Sequence, residues 1–393
     1  MLSVRTMKIL VNGTPLLVPL TGIGQYIRHL FTVMNEMAEA DIHMYYGIRC
    51  EKGLRPPSTE TLQTVQRTYS FARRFIPYPR TIRRLAEKAF FAYQVRKNFD
   101  NFLYHEPNYI PLPYNGPVVL TVCDLSCFDH PETHPAERVR LMQQNMPAAI
   151  DKADHIIVIS EASGIALKRW FGVPPERIST TYLAADPRFM PRSTDSLAPQ
   201  LAAHDLTPGG YVLCVGTLEP RKNLTTLFSA YAGLPHSLRK RYPLVVAGMS
   251  GWHTDQLMKS AESLLQRGEL RFLGYVADEF IPALYAGAAA FAYPSRYEGF
   301  GLPALEAMAS GIPVLTANTT ALPEVVGNAG LMVDPDDVDG MREGLQQLLE
   351  DRVFADTLGQ QGLTRANTFS WNRCAQETFS VYEKVMRARG LTR

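Results

Sequence analysis

The 393-residue sequence has little of what marks secreted, membrane-spanning or nucleic-acid-binding proteins. Its 5 cysteines are scattered and odd in number, which argues against a disulfide framework or a zinc site and favours reduced thiols in the cytosol. No apolar run approaches the ~20 residues that cross a bilayer, and the opening MLSVRTMKILVNG lacks the features of a signal peptide. A net charge of +2 gives no reason to expect nucleic acid. We expect a cytoplasmic protein, held at most to the inner face of the plasma membrane as a peripheral protein.

What is present is the composition of a folded protein with more than one domain. Hydrophobic residues make up 46% of the chain and charged residues 20%. At this length, two domains of roughly 180 residues each are expected. The stretch 186–210 is rich in Pro, Ser and Gly and interrupts the hydrophobic periodicity, so we place the linker there. The predicted domains are 1–190 and 209–370, followed by a C-terminal helix over 371–393.

Short apolar runs alternate with segments of helical period, most regularly in the second half. The predicted strands there are 211–216, 244–248, 270–274, 289–293, 312–316 and 330–333. In the first half we predict strands at 8–12, 42–46, 118–123, 155–160 and 178–182, and helices at 24–37, 80–98, 136–150 and 161–171. This alternation predicts an α/β protein of two doubly wound, Rossmann-like domains. Ligands on such sheets bind beyond the carboxyl ends of the strands, here in the cleft between the domains.

The segment 294–311, directly after a predicted strand, is the most informative part of the sequence. Pro303 suits a first helical turn and Gly311 suits the position just past a helix end, so a short helix begins near Leu302. Glu298 lies in the loop before this helix, and Glu306 lies within its first turn or so. The two carboxylates therefore surround one helix N-terminus.

That N-terminus also exposes the backbone N–H groups of Gly299, Phe300 and Gly301. A helix N-terminus attracts phosphate, glycines let a ligand approach the backbone, and carboxylates accept hydrogen bonds from sugar hydroxyls. The competing interpretation is a capping arrangement in which the glutamates only complement the helix dipole. The whole assembly favours a site for a phosphorylated sugar.

This segment, with its Glu-x7-Glu spacing, and the later Leu-Pro-Glu-Val-Val-Gly at 322–327 resemble the signature of retaining glycosyltransferase family 4, which has the GT-B fold. The resemblance implies that Glu298 lies beside the donor sugar and its diphosphate, while Glu306 holds the ribose hydroxyls. It also implies that the N-terminal domain binds the acceptor and that the C-terminal helix returns to pack on that domain.

A basic pair, Arg221 and Lys222, follows the predicted strand 211–216. Two cations near a helix N-terminus can neutralise a diphosphate leaving group without an obligatory metal ion, and at ~4 Å and an effective dielectric of about 20 each charge pair gives on the order of 4 kcal/mol. Lys222 matches the lysine of the family, whereas Thr217 stands where the family usually has arginine, so Arg221 would supply the guanidinium from a different position. The alternative is an exposed basic turn.

The N-terminal half offers weaker signals. Gly22 and Gly24 precede an amphipathic helix and resemble the glycine loop of the family, which lies near the sugar phosphate. Asp124 keeps a family position, but Cys123 stands where many relatives have histidine. Asp124 could bind a sugar or acceptor hydroxyl, and His105 is the nearest alternative imidazole. The sequence leaves open whether Cys123 or His105 takes over the function of that histidine.

Between 67 and 97 the sequence has nine Arg or Lys residues and one carboxylate, interleaved with aromatic residues. This composition suits an anionic membrane surface or a lipid-diphosphate acceptor. The alternative is a helix with one core face and one solvated basic face. A polyprenyl-diphosphate-linked saccharide would be a consistent acceptor.

We therefore predict a retaining hexosyltransferase of cell-surface polysaccharide synthesis, without a cofactor. The Gly-Thr-Leu-Glu-Pro-Arg-Lys-Asn variant resembles bacterial mannosyltransferases, which favours GDP-mannose, although UDP-sugars stay open. The alternatives are a nucleotide-sugar epimerase or hydrolase on the same fold, and a non-catalytic binding subunit. Catalytic roles are predicted for Lys222, Arg221, Glu298 and Asp124. Donor-binding roles are predicted for Gly22, Gly24, Tyr275, Val276, Gly299, Phe300, Gly301, Leu302 and Glu306.

Overall fold

The computed structural model describes residues 6–18, 22–47, 49–54, 89–95 and 98–391 and contains two β-sheets, each covered by helices. The first sheet has seven strands in the order β3-β2-β1-β4-β5-β6-β7. All neighbours in it are parallel except β2 and β3. The strands are β1 Met7–Asn12, β2 Ala40–Tyr45, β3 Cys50–Lys52, β4 Leu103–Glu106, β5 Val118–Val122, β6 His155–Val158 and β7 Ile178–Thr180.

Helices cover this sheet on both sides, which is why its central strands are buried throughout. Helix α1, Gly22–Met34, buries Tyr26, Leu30 and Phe31 along one side. The other helices of this half are α2 Ser126–Asp129, α3 Ala136–Lys152 and α4 Glu161–Phe171, with α5 Thr194–Ala202 between the sheets. Short 3-10 turns occupy Thr14–Leu17, Pro131–Thr133 and Pro175–Arg177, and residues 89–95 are helical.

The second sheet has six parallel strands in the order β10-β9-β8-β11-β12-β13. They are β8 Val212–Val215, β9 Leu244–Ala247, β10 Leu270–Gly274, β11 Ala290–Tyr293, β12 Val314–Ala317 and β13 Leu331–Val333. The connection order reverses between β8 and β11, so the loops after these two strands open a crevice at their carboxyl ends.

The helices around the second sheet follow the strand–helix alternation. They are α6 Leu224–Ala232, α7 His236–Arg241, α8 Asp255–Gln266, α9 Ile281–Ala286, α10 Leu302–Ala309, α11 Leu322–Val326, α12 Val338–Glu350, α13 Arg352–Ala366 and α14 Trp371–Ala388. The 3-10 turn Pro220–Lys222 precedes α6. Among the helices that the structure describes, none combines the length and the apolar composition required to cross a bilayer.

The last helix, α14, returns to the first sheet and packs against α1. Trp371 stacks on His29 of α1, with ring centroids 5.0 Å apart. Deeper in the core, the Tyr382 hydroxyl lies 2.6 Å from Nδ1 of His105, whose Nε2 lies 2.7 Å from the Thr121 hydroxyl. Complete burial lowers the pKa of His105 to about 3. His105 is therefore a neutral core residue that connects β4 and β5 to the returning helix.

The structure contains elements that were not predicted from the sequence, among them α5, α13 and β3. The predicted linker contains α5, which buries Leu197 and Leu201 and is capped by the Ser193 side chain. Pro199 inside this helix conceals its helical pattern, because proline normally ends one. The short antiparallel edge strand β3 was not predicted. Most of the predicted helix 80–98 lies outside the described residues.

Tyr382→Phe tests the structural role of His105. The change leaves the buried Nδ1 without its hydroxyl partner, so the free energy of unfolding should fall by about 1–3 kcal/mol, measured by urea denaturation. Ser380→Ala, at an exposed position of the same helix, should change stability by less than about 0.5 kcal/mol. Unchanged stability with lost activity in Tyr382→Phe would instead place His105 in the catalytic machinery.

Candidate active site

A cleft of about 1040 Å³ separates the two sheets and receives side chains from both domains. It lies beyond the carboxyl ends of the strands, as expected for doubly wound sheets. Twelve of the thirteen predicted site residues line it: Gly22, Asp124, Arg221, Lys222, Tyr275, Val276, Glu298, Gly299, Phe300, Gly301, Leu302 and Glu306. The remaining residue, Gly24, is instead buried within α1. The functional roles of all thirteen stay predictions.

Glu298 is the buried carboxylate around which the charged part of the cleft is built. Its Oε1 accepts hydrogen bonds from Lys222 Nζ at 2.6 Å, from the Tyr293 hydroxyl at 2.9 Å and from the Ser295 hydroxyl at 2.5 Å. Its Oε2 lies 3.2 Å from Nη1 of Arg221. The loop after β8, which carries both cations, is thereby joined to the loop after β11.

Arg221 is held by a second carboxylate that sequence reasoning missed. Glu219 Oε1 accepts from Arg221 Nε at 3.0 Å and from Nη2 at 2.5 Å, and Nη1 also donates to the carbonyl of Tyr297. Two cations and two carboxylates thus meet with no net charge. A sequence signal existed, since Glu219 and Arg221 are two residues apart around a proline.

The electrostatics of this cluster depend on its burial. Burial alone would raise the pKa of Glu298, but the cations of Arg221 and Lys222 outweigh it and hold the pKa at about 2. Burial and the neighbouring guanidinium lower the pKa of Lys222, against the pull of Glu298. An arriving diphosphate would supply the negative charge that favours the ammonium form of this lysine.

The glycines before α10 are required by the protein's own contacts. A side chain at Gly299 would put its Cβ 2.1 Å from the carbonyl oxygen of Cys123, in the opposite domain. Gly301 has a φ of 104°, a conformation that favours glycine. Phe300 between them is buried, and its ring lies beside those of Tyr182 and Phe369. That these glycines also let a ligand approach the backbone stays a prediction.

Glu306 lies on α10 and has an unusual protonation equilibrium. Burial raises the pKa of its carboxyl to about 8, despite the nearby Tyr285 phenol, and the charges of Asp186 and Asp278 contribute to the increase. The structure gives this carboxyl no ion pair within the described residues. Hydroxyl groups of a ligand that donated hydrogen bonds to it would favour its ionised form.

Tyr275 and Val276 follow β10 at the rim of the cleft, where Tyr275 is 66% exposed and Val276 is buried. Beside them, Asp278 makes ion pairs with Arg28 of α1 at 3.2 Å and with Arg188 at 2.9 Å. Ion pairs thus connect the two domains on this side of the cleft. Local sequence patterns did not predict these ion pairs.

Two further contacts cross between the domains. The Glu324 carboxylate accepts from the backbone N–H groups of Glu161 at 2.9 Å and Ala162 at 3.1 Å, at the N-terminus of α4. On the other side, Trp252 Nε1 donates to the carbonyl of Thr133 at 2.6 Å. The domains therefore contact each other directly as well as through the charged residues of the cleft.

Asp124 lies at the end of β5 beside Gly299, so the structure brings it to the charged cluster, unlike His105. Cys123 is buried, and burial raises the pKa of its thiol well above the usual value. A neutral buried thiol cannot take over the acid–base role of an imidazole. The structure thus places neither Cys123 nor His105 as its replacement.

The predicted basic–aromatic surface at 67–97 lies largely outside the described residues. Of its described aromatic residues, Phe91 is fully buried against Tyr45 and Tyr104, whereas Tyr93 is 64% exposed. Asp334 and Asp336 have Asp-x-Asp spacing after β13, but Asp336 pairs with Arg296. The described part of the chain contains no group of three His, Cys, Asp or Glu side chains placed to hold a metal ion.

Two facing doubly wound domains and a returning C-terminal helix define the GT-B fold of glycosyltransferases. The sequence profile described as "Glycosyl transferases group 1" matches residues 204–365. The chain is 39% identical over 384 residues to the O-antigen chain mannosyltransferase B of Escherichia coli, covering 96% of this chain and 100% of that protein. The protein belongs to the group 1 glycosyltransferases.

A second relative is the serotype-specific mannosyltransferase WbdA of Escherichia coli, 31% identical over 253 residues, which cover 63% of this chain and 31% of that longer protein. Among solved structures, sucrose-phosphate synthase of Thermosynechococcus elongatus superposes with a TM-score of 0.73 at 21% identity, covering 97% of this chain and 100% of that one. Anabaena HepE, in complex with UDP and glucose, gives 0.71 at 18% identity, covering 96% and 100%. These two structures establish the shared fold.

The raised pKa of Glu306 predicts a pH-dependent stability. Its carboxyl stays protonated in the folded protein up to pH about 8 but ionises near 4.5 when unfolded, so stability should fall between these values. Glu306→Gln lacks this loss. Its free energy of unfolding, measured by urea denaturation, should therefore increase relative to that of the wild type as the pH rises from about 5 to 8.

The exposed Glu383→Gln serves as the matched control and should show no such trend. Parallel stability curves for wild type and Glu306→Gln over this range would contradict the prediction.

Proposed function

We propose that the protein is a retaining mannosyltransferase that transfers mannose from GDP-mannose to a saccharide or polyprenyl-diphosphate-linked saccharide during O-antigen or related polysaccharide synthesis. The observation that carries this proposal is the buried cluster of Lys222, Arg221 and Glu298 in the cleft of a chain that matches an O-antigen chain mannosyltransferase over its whole length. The 39% identity supports the choice of sugar.

The cluster suits the chemistry of a diphosphate leaving group. As the bond between the sugar carbon and the diphosphate oxygen breaks, negative charge develops on the diphosphate, and Lys222 and Arg221 would stabilise it in a site with little water. Both cations are already ordered by Glu298 and Glu219, so little reorganisation is needed during the reaction.

Retention requires the acceptor hydroxyl to attack from the face that the diphosphate leaves. A new bond forms between this oxygen and the sugar carbon, and the hydroxyl proton passes to the departing diphosphate oxygen. Glu298 is a poor candidate for a covalent nucleophile, because both its oxygens are engaged by cations and hydroxyl groups. Front-face transfer is therefore the mechanism that we favour.

Other residues would bind the two substrates. Glu306 would accept hydrogen bonds from the ribose hydroxyls, and the backbone after β10, at Tyr275 and Val276, would contact the base. Asp124 on the opposite domain would hold a hydroxyl of the acceptor or the sugar. Gly22 at the start of α1 lines the cleft, and no atom of the described residues lies within 4 Å of a Cβ built on it.

An epimerase or hydrolase on the same fold is the main alternative. The cleft favours transfer because both domains contribute polar side chains to it, which provides room and partners for a second substrate. Product analysis with and without acceptor distinguishes the two, since only a transferase needs the acceptor. A silent binding subunit is disfavoured by the intact set of Lys222, Glu298 and Glu306.

Lys222→Met should lower the turnover number for mannosyl transfer by at least about 100-fold, because it removes a cation from the leaving group. The measurement is release of GDP in the presence of a mannose-terminated acceptor. Lys259→Met, on the exposed face of α8, is the matched control and should keep wild-type turnover. Near-normal turnover in a folded Lys222→Met variant would contradict the role of this lysine.

A thermal-shift panel of nucleotide sugars tests the donor. GDP-mannose at 100 times its dissociation constant should stabilise the protein by about 2.7 kcal/mol, whereas UDP-glucose at the same concentration should stabilise it less. Stronger stabilisation by UDP-glucose would overturn the choice of base.

EDTA should leave transfer unchanged if Lys222 and Arg221 neutralise the diphosphate. Loss of transfer that a divalent ion restores would refute metal-independence.

A further inference from the structure

A short chain of hydrogen bonds begins at Asp124 and continues within the N-terminal domain. Asp124 Oδ1 accepts from the backbone N–H of Ser126 at 3.0 Å and from the Ser126 hydroxyl at 2.7 Å. The same hydroxyl oxygen lies 2.9 Å from Nε2 of His134. Asp124, Ser126 and His134, here called the relay, thus form a continuous polar path from the cleft into the N-terminal domain.

The direction of the hydrogen bonds follows from the chemistry of each group. The Asp124 oxygen accepts from the backbone N–H of Ser126, and the Ser126 hydroxyl gives its one proton to the same oxygen. The hydroxyl oxygen must then accept from His134, which places the proton of the imidazole on Nε2. The opposite nitrogen, Nδ1, is left as an acceptor.

The burial of the relay indicates that it does more than stabilise the fold. Ser126 is 1% exposed and His134 is 5% exposed. Nδ1 of His134 is buried and has no hydrogen-bond partner among the described residues. An unsatisfied buried acceptor costs folding free energy. An apolar residue at position 134 would fill the same space without that cost.

The relay lies where the domains meet. The His134 ring is 6.0 Å from that of Trp252, which belongs to the opposite domain and donates to the carbonyl of the adjacent Thr133. Asp124 itself sits against Gly299, with 3.0 Å between its Cβ and a Cβ built on that glycine. Ser126 therefore holds the Asp124 carboxylate where the loop after β5 meets the loop before α10.

We propose that Ser126 and His134 are positioning residues that fix the Asp124 carboxylate, so that its free oxygen binds and orients the acceptor hydroxyl. This inference rests on the proposed transferase function. With Oδ1 committed to Ser126, Oδ2 is the oxygen that no described residue engages. A carboxylate with one fixed orientation holds the attacking hydroxyl in one fixed direction. This orientation stabilises the transition state more than it strengthens binding of the acceptor.

Two substitutions at position 134 separate the hydrogen bond from the ring. His134→Phe keeps an aromatic ring beside Trp252 but removes the donor to Ser126, whereas His134→Gln keeps an N–H donor of similar reach and removes the ring. With GDP-mannose as donor and octyl α-mannoside as acceptor, His134→Phe should lower kcat/KM for the acceptor by about tenfold or more. His134→Gln should restore most of this loss.

Binding of GDP-mannose, measured by calorimetry, should be unchanged in both variants, because under this proposal the Asp124 carboxylate binds the acceptor and not the donor. Ser126→Ala should lower kcat/KM for the acceptor as His134→Phe does, and the double variant should fall no further, because both changes interrupt one path. Additive losses in the double variant, or equal activity of the Phe variant and the wild type, would overturn the proposal.

Failure of the proposed function looks different. A wild-type protein that transfers no sugar from any donor in the thermal-shift panel would refute the function itself. A wild-type protein that transfers normally, with His134→Gln no better than His134→Phe, would refute only the positioning role. Melting temperatures of all variants, compared with the wild type, show whether a loss of activity comes from unfolding.

Discussion

The carboxylate of Glu298 is the interaction on which the rest of the site depends. A buried charge is tolerated only when it is paired and hydrogen-bonded, and this one engages two cations, a phenol and a hydroxyl at once. The loops after β8 and β11 are therefore fixed relative to each other. The cations that would meet the diphosphate are positioned by the same contacts that make their burial possible.

A second constraint is the tight contact between the domains. The backbone of Cys123 lies so close to Gly299 that only glycine fits, which brings Asp124 of one domain beside Glu298 of the other. The loop after β5 and the loop before α10 thus form opposite walls of one small space. The proposed transfer would use this arrangement, because the donor and the acceptor would be held by different domains but react at a single carbon.

Local patterns in the sequence predicted what depends on local physics. The strand–helix alternation, the start of α10 near Leu302 and the basic turn at Arg221 and Lys222 follow from residues close together in the chain, and the fold is as predicted. Contacts over long sequence separations were beyond such patterns. The Tyr382 partner that makes His105 structural lies 277 residues away, and Trp252 reaches Thr133 across 119 residues. The helix α5 was not predicted, because Pro199 inside it is a residue that normally ends a helix.

The contact of Glu324 with the N-terminus of α4 has a consequence for how readily the two domains separate. Its two oxygens accept from two backbone N–H groups of the opposite domain, so the domains cannot separate without exposing both the carboxylate and the helix end to water. The strength of this contact therefore contributes to the free energy that separating the two domains requires, although Glu324 does not line the cleft.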